Sequence, residues 1–450
     1  MLEKIINDLH DVFNSFDFEM SLHVNTDTYS VSICNYNQND FDSIYYHFMK
    51  FSINHSILVY LYSNRKFAIQ DLSNFLSLSI SSTYRYISQI NKNLREFNLT
   101  IKNGELKGDS LQISYFYYQF FWYSYPFSYL ENMINDFDLV QFIRLLEVKL
   151  SVTFTQSSKN RILLWCKLIK SNTSKDVPMS NLIVNLIDNF QSDPLYKTIR
   201  ETYLLSQSYS AILVSDYDIA CIYTFLSSAF PADDHFCSIT ELTPNRWPTY
   251  TTEVLNLNTQ ILESICTHFG LNSEKVLLSI DQNLKYLLST MHTGVLFFHG
   301  RIEDYISAHF LKNLNEIAIH KEILQTLIVR LEVFIGWKLI DTTRQYFFWL
   351  YYTLIESILK NNLPNIVIGI SLKKTPLLTV PYVDSFKKVY KSKEYILVKQ
   401  AIPREHYDIL VSDSLTNRSD FSFDKYYLIQ DIEHDYISPI RDILNKNLRR

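Results

Sequence analysis

From residue 69 to 107 the apolar positions follow one helical spacing, then a second, then an alternation. Ile69, Leu72 and Leu76 fall on one face of a short helix. Ser77, Leu78 and Ser79 suit a tight turn, and Ser81 or Ser82 is the expected N-cap of the next helix, where a hydroxyl accepts a bond from a first-turn amide. In that helix Tyr84, Ile87, Leu94 and Phe97 share the stripe expected to pack, while Ser82, Thr83, Arg85, Tyr86, Gln89 and Lys92 share the opposite one. Leu99 to Lys102 and Glu105 to Lys107 then flank Asn103-Gly104, a dipeptide suited to a two-residue hairpin because both positions need positive φ.

The whole chain reads in five blocks. Residues 1–46 predict a helix, Leu2 to Phe16, and a hairpin in which Met20, Leu22 and Val24 alternate on one strand and Tyr29, Val31 and Ile33 on the other. Residues 47–126 hold the two helices and hairpin and end in SYFYYQFFWYSYPF, where Leu111, Tyr115, Tyr118 and Phe121 keep helical spacing and point to packing rather than base stacking. Residues 127–246 and 247–362 are two all-α blocks divided near Pro244 to Pro248. After Leu363-Pro364, Ile366 to Ile370, Tyr395 to Val398, Ile409 to Val411 and Tyr426 to Ile429 read as strands. Pro381 to Tyr390 and His434 to Leu448 read as helices, so residues 363–450 predict a small α/β domain with a mostly parallel sheet.

The side chains on the polar stripe suit nucleic acid. Arg85 and Gln89 can each make paired hydrogen bonds to base edges, and Ser81, Ser82 and Thr83 can hold a phosphate near the helix N-terminus, with Tyr86 and Lys92 alongside. Lys102 and Lys107 sit where a wing would lie along a DNA backbone. Residues 57–126 carry a charge of +3 in a chain of net charge −5, a local positive island of the kind that phosphate attraction requires.

Composition narrows the alternatives. The 450 residues are 47% hydrophobic and 20% charged, which fits several folded domains rather than disorder. Only seven glycines occur, and no GxGxxG, GxxxxGK[ST] or GxSxG pattern is present, so nucleotide-cradling loops and a nucleophile elbow are not expected, nor is an enzyme or a cofactor. Cys34, Cys166, Cys221, Cys237 and Cys266 form no CxxC pair, which fits a reduced cytoplasmic protein without a thiolate zinc site. The longest mostly apolar run, Tyr346 to Ile355, is too short to span a bilayer, so no membrane association is expected.

The block LSNFLSLSISSTYRYISQINKNL, the downstream LKGDSLQISYFYYQFFWYSYPF and the later MHTGVLFFHGRI together resemble the Mga family of stand-alone virulence and stress regulators of Gram-positive bacteria. The resemblance implies a multi-domain, mainly α protein: a winged helix-turn-helix at 47–126, two all-α phosphotransferase-system regulation domains at 127–246 and 247–362, and a C-terminal small α/β domain like phosphotransferase enzyme IIB at 363–450. Residues 1–46 would be a partial first winged helix, so that DNA affinity rests on the 47–126 module alone or the native start lies upstream. The implied partners are double-stranded DNA, a second copy of the chain in a homodimer, and the phosphotransferase phosphocarrier protein. The enzyme IIB fold carries a phosphorylatable cysteine after its first strand; here that loop reads SLKKTP, Ser371 to Pro376, which argues against phosphoryl relay there.

In regulators of this plan, histidines of the helical repeats accept phosphate. The chemistry needs an accessible imidazole that is neutral near pH 7. By position His235 in PADDHF and His292 in MHTGVLFF are the candidates, with His299 next. Asp233 and Asp234 would repel a phosphoryl group approaching His235. The remaining histidines show no HxH or HExxH clustering, so no metal site is expected. An RNA-binding antiterminator shares the helical regulation domains but would open with a β-rich RNA-binding module, and a protein-interaction scaffold that has lost DNA binding is the other alternative.

Overall fold

The computed structural model describes residues 6–9, 11, 21–25, 30–34, 38–173, 178–207, 214–228, 252–301, 320–362, 366–372, 376–389, 396–414 and 420–428. The chain divides into two compact units: Met1–Thr251 with Thr290–Glu303, and Thr252–Ser289 with Asp304–Arg450.

After helical residues at 6–9 and 11, the first unit continues with β1 (Ser21–Asn25) and β2 (Ser30–Cys34), antiparallel with Ser21 opposite Cys34. This is the hairpin expected from the alternating positions of residues 20–33. Then come α1 (Gln38–Lys50), α2 (Ile53–Asn64), α3 (Ile69–Leu76) and α4 (Ile80–Leu94), a 3-10 turn (Arg95–Phe97), and the antiparallel pair β3 (Thr100–Lys102) and β4 (Glu105–Lys107). The Asn103-Gly104 turn has φ of 54° and 73°, so both residues take the left-handed conformation that the dipeptide predicts.

Helix α5 (Ser110–Ser124) is the aromatic stretch, and Asp109 caps it by accepting from the Gln112 amide at 2.8 Å. Its Leu111, Tyr115, Tyr118 and Phe121 are all buried, as their spacing predicts. Apolar residues on every side of a helix require neighbours on every side. They come chiefly from α8 (Gln156–Thr173), within a core cluster that α6 (Phe127–Ile134), α7 (Phe137–Leu150), α9 (Asn181–Phe190), α10 (Pro194–Ser206) and α11 (Asp216–Leu226) complete. Trp165 of α8 lies flat on Phe225 of α11 with ring centroids 4.6 Å apart, and Tyr118 of α5 meets Phe225 edge-on at 5.0 Å. The winged helix and the helices that follow it therefore share one continuous core rather than meeting across a wet joint.

The second unit contains α12 (Thr252–Phe269), α13 (Ser273–Ser279) and the first half of α14 (Gln282–Phe297), whose residues from Thr290 onward belong to the first unit. Further helices are α15 (Lys321–Ile335) and α16 (Asp341–Asn362), the latter burying Phe347, Tyr351, Leu354, Ile355 and Ile358. A four-stranded sheet of β5 (Ile366–Ser371), β6 (Ile396–Gln400), β7 (His406–Ser412) and β8 (Ser422–Leu428) follows, with α17 (Pro376–Val389) between its first two strands. The order is β6-β5-β7-β8 and every pair is parallel. Buried runs such as Ile368, Ile370 and Ile409 to Val411 are what a covered parallel sheet demands. The final helix expected at His434 to Leu448 and the boundary expected near Pro244 to Pro248 lie outside the described residues. Among the described residues no helix is long and apolar enough to cross a membrane.

Candidate nucleic-acid interface

Helices α3 and α4 are locked by hydroxyls at their junction. Ser77 takes φ of 53° as α3 ends, and Ser79 caps α4 by accepting from the Ser82 amide at 3.2 Å. The cap is thus Ser79, not Ser81 or Ser82, whose hydroxyls instead lie 3.0 Å from Ser79 Oγ. Thr83 is fully buried: its Oγ1 donates to the Ser79 carbonyl at 3.0 Å and sits 3.1 Å from the Ser73 hydroxyl. It holds the two helices together and is not available to a phosphate.

The buried stripe of α4 is Thr83, Ile87, Ile90 and Leu94. This corrects the expected stripe by a fraction of a turn. Tyr84, expected inside, is 57% exposed, and Tyr86, expected on the reading face, is half-buried against the core with the Arg85 guanidinium 5.6 Å above its ring. Arg85, Gln89 and Lys92 are exposed together on the outer face, as predicted, and Ser81 is exposed at its N-terminal end.

The wing is tied to that helix by one side-chain amide. Asn91 donates to the Ile101 carbonyl at 3.0 Å and accepts from the Ile101 amide at 2.6 Å, so α4 and β3 are held as neighbouring strands would be. The wing turn is held from the other side by the Phe67 amide, which donates to the Gly104 carbonyl at 3.0 Å. A Cβ on Gly104 would come within 1.9 Å of the Phe67 carbonyl oxygen, so only glycine allows this approach.

Between α4 and the wing lies an open groove of about 680 Å³, lined among others by Tyr84, Ser88, Asn91, Lys92, Arg95 and Lys102. Arg95 extends the exposed stripe by one step beyond Lys92. It was legible in the sequence as the i+3 neighbour of Lys92 but stands in the 3-10 turn, past the end of the helix. Asn91 gave no such signal, because its role depends on where β3 lands.

Charge pairing separates the basic residues into two classes. Glu105 forms ion pairs with Lys107 and, at 2.7 Å, with Lys66. Hydrogen bonds from Lys107 and then Lys66 hold the Glu105 carboxyl down to about 2. Lys107 is therefore exposed but already neutralised. Among the described residues, Arg85, Lys92, Arg95 and Lys102 have no acidic partner within 4.0 Å. The four cations left over flank the groove and the outer face of α4.

The locked helix junction, the exposed polar helix face and the tethered two-stranded wing all lie within residues 37–121, which match the Mga helix-turn-helix domain. This stretch of the chain is thus similar to that domain. A relative in Streptococcus pneumoniae serotype 4, named "Putative trans-acting regulator", is 30% identical over 145 residues, 32% of this chain and 28% of that protein. The chain is thus matched over less than a third of the relative's length. The matched region reaches from just before α1 almost to the end of α5 and so includes the whole groove and both of its walls.

The histidine candidates separate as clearly. His292, inside α14, is fully buried, and desolvation holds its imidazole down to about 3, so it lacks the accessible ring that phosphoryl transfer requires. His299 is half-buried; burial lowers its pKa and the nearby Asp109 carboxylate raises it in part, leaving a neutral ring below the usual imidazole value. His235 lies outside the described residues.

Proposed function

We propose that the chain is a DNA-binding transcriptional regulator that reads duplex DNA with the outer face of α4 and grips the backbone with the groove between α4 and the wing. Arg85 and Gln89 are the base-reading pair; Lys92, Arg95 and Lys102 are the phosphate contacts. The observation that carries this is the set of four cations without acidic partners, placed on one side of a rigidly tethered helix and wing. The Streptococcus pneumoniae relative's name points the same way. Duplex binding across salt concentrations tests it. Arg85→Ala should cost about 1–3 kcal/mol and relax preference at one position, whereas Arg95→Ala should weaken all sequences alike. No binding, or binding that neither substitution changes, overturns the reading.

In this reading the α-helical blocks at 127–246 and 247–362 are phosphotransferase-system regulation domains, the parallel-sheet domain at 363–450 is like enzyme IIB, and the active species is a cytoplasmic homodimer, since paired half-sites supply affinity that one winged helix lacks. Of the described candidates, His299 suits phosphorylation, with a neutral and partly exposed ring. Purified phosphocarrier components should shift the wild-type band and the His292→Ala band on a phosphate-affinity gel. An unshifted wild type removes the regulatory part of the proposal, and a His299→Ala variant shifted like wild type moves the site elsewhere.

A further inference from the structure

The chain from Phe298 to Arg301, which lies far beyond the Mga domain in sequence, is held to it by hydrogen bonds at His299 and Arg301 and by close packing at Phe298 and Gly300. Gln112 of α5 donates through Nε2 to the His299 carbonyl at 2.9 Å and accepts from the His299 amide at 3.0 Å. Tyr115 donates its hydroxyl to the Arg301 carbonyl, and Gln119 donates to the Tyr115 oxygen at 2.8 Å and to the same carbonyl at 3.3 Å. The Phe298 ring lies 4.7 Å from that of Tyr115. Gly300, at φ of 103°, is pressed so close to Phe97 that a Cβ would stand 2.7 Å from the Phe97 ring. The Arg301 guanidinium closes the set by pairing with Glu96 at 3.2 Å.

Glu96 and Phe97 form the 3-10 turn that joins the reading helix to the wing, and Glu96 directly follows Arg95 of the groove. We infer that residues 298–301 act as a clasp that holds the α4-to-wing turn in its DNA-gripping geometry, so that releasing the clasp weakens DNA binding. This deepens, and rests on, the reading of the groove as a DNA site.

Two features give the clasp its direction. Pairing with Arg301 neutralises a carboxylate beside the groove, which would otherwise repel phosphate. The paired bonds between Gln112 and the His299 backbone replace water on groups that are otherwise costly to bury, so the segment is either fully seated or released, with little in between. The clasp follows directly on the end of α14. His299, the proposed phosphate acceptor, sits in the clasp beside Asp109, where added negative charge would press the segment away.

Amide hydrogen exchange and duplex binding on the full chain test the clasp together. Gly300→Ala wedges the clasp off Phe97 without altering any residue of the winged helix itself, and Arg301→Gln removes the exposed ion pair as a milder variant. Both should speed exchange across residues 94–101 in the free protein and weaken duplex affinity on the order of tenfold, a usual coupling between linked sites. By reciprocity, adding duplex to wild type should slow exchange of the 298–301 amides. Exchange at 94–101 that neither variant changes overturns the clasp whatever the DNA result. Faster exchange with wild-type affinity overturns its link to DNA while leaving the DNA reading intact. A wild type that binds no duplex overturns the DNA reading instead, and the clasp's regulatory sense with it.

Discussion

Glu105→Gln should make this protein bind DNA more tightly and more steeply with salt. In the native wing Glu105 is shared between Lys66 and Lys107, whose side chains are 71% and 51% exposed. The substitution keeps the shape of the wing but leaves both ammonium groups without their carboxylate. A cation already paired with a carboxylate releases little from the counterion atmosphere of DNA when it docks; an unpaired one releases close to a full ion. At about 0.9 in logarithmic slope for each phosphate neutralised, one newly engaged lysine steepens the salt dependence by ~0.9 per module and two by ~1.8. Between 50 and 200 mM salt that is an additional affinity loss of about 3.5-fold for one lysine and roughly 12-fold for two. Surface ion pairs of this kind contribute little to folding, so the variant should melt close to wild type.

The assay is fluorescence anisotropy with a labelled duplex over a salt series, at constant pH. Lowering the pH cannot imitate the substitution, because the Glu105 carboxyl is held down to about 2 and stays ionised throughout any practical range. Lys107→Ala in the wild-type background should flatten the slope less than Lys102→Ala does, since only Lys102 starts without an acidic partner. A Glu105→Gln slope equal to wild type would refute the claim that ion pairing sorts the basic residues into those that meet phosphate and those that do not.

Thr83→Val should lower stability by about 1 kcal/mol in chemical denaturation, by removing a buried hydroxyl that bridges α3 and α4, and leave the salt slope unchanged; a changed slope with unchanged stability would restore Thr83 as a phosphate contact. Gly104→Ala should cost about 3 kcal/mol in wing order, since its Cβ meets the Phe67 carbonyl at 1.9 Å in a left-handed turn; NMR or exchange data showing an intact wing would contradict this. Asp136 caps α7 and bonds Lys167 and Lys170 at 3.2 Å each; burial raises its pKa, but the two lysines outweigh that and hold it below the usual carboxylate value. The charge's contribution through the two lysines, up to about 1 kcal/mol, is therefore complete above the unfolded carboxylate pKa and is lost as pH falls through the lowered folded value. Asp136→Asn should accordingly destabilise at pH 7 and progressively less as the solution is acidified, and a loss that does not change with pH would argue against the charge as the cause.

Much of the fold could be read from spacing, because its elements use strong local signals. Asn103-Gly104 specified a hairpin whose two residues both need positive φ, and the apolar runs at 366–370 and 409–411 specified a covered parallel sheet. The recognition helix was placed correctly yet rotated, for an identifiable reason. Phe97 was counted in the helical stripe although it sits in the 3-10 turn after Leu94, and Thr83 was counted as outward because it is polar. A threonine whose hydroxyl is satisfied by Ser73 and Ser79 is as good a core residue as valine. Polarity alone cannot tell the two cases apart. The bonds from Gln112 to His299 span 187 residues and leave no periodic trace in either segment.

Net charge was the coarsest of the sequence signals. The +3 of residues 57–126 counts Lys66, Lys107 and Arg85 alike. In the structure one carboxylate silences the first two, and a second, Glu96, is itself silenced by Arg301 from a distant part of the chain. What remains is a patch of four unpaired cations whose strength depends on two acids, one held within the wing and one held by the clasp. Glu105 sets a constant level, because its partners are its own strand and the residue just before Phe67. Glu96 does not, because its partner enters from α14 and can leave. A winged helix whose affinity is adjusted through the pairing of a carboxylate beside its groove needs no change in the reading helix itself, which accounts for how rigidly Asn91 and Thr83 fix that helix in place.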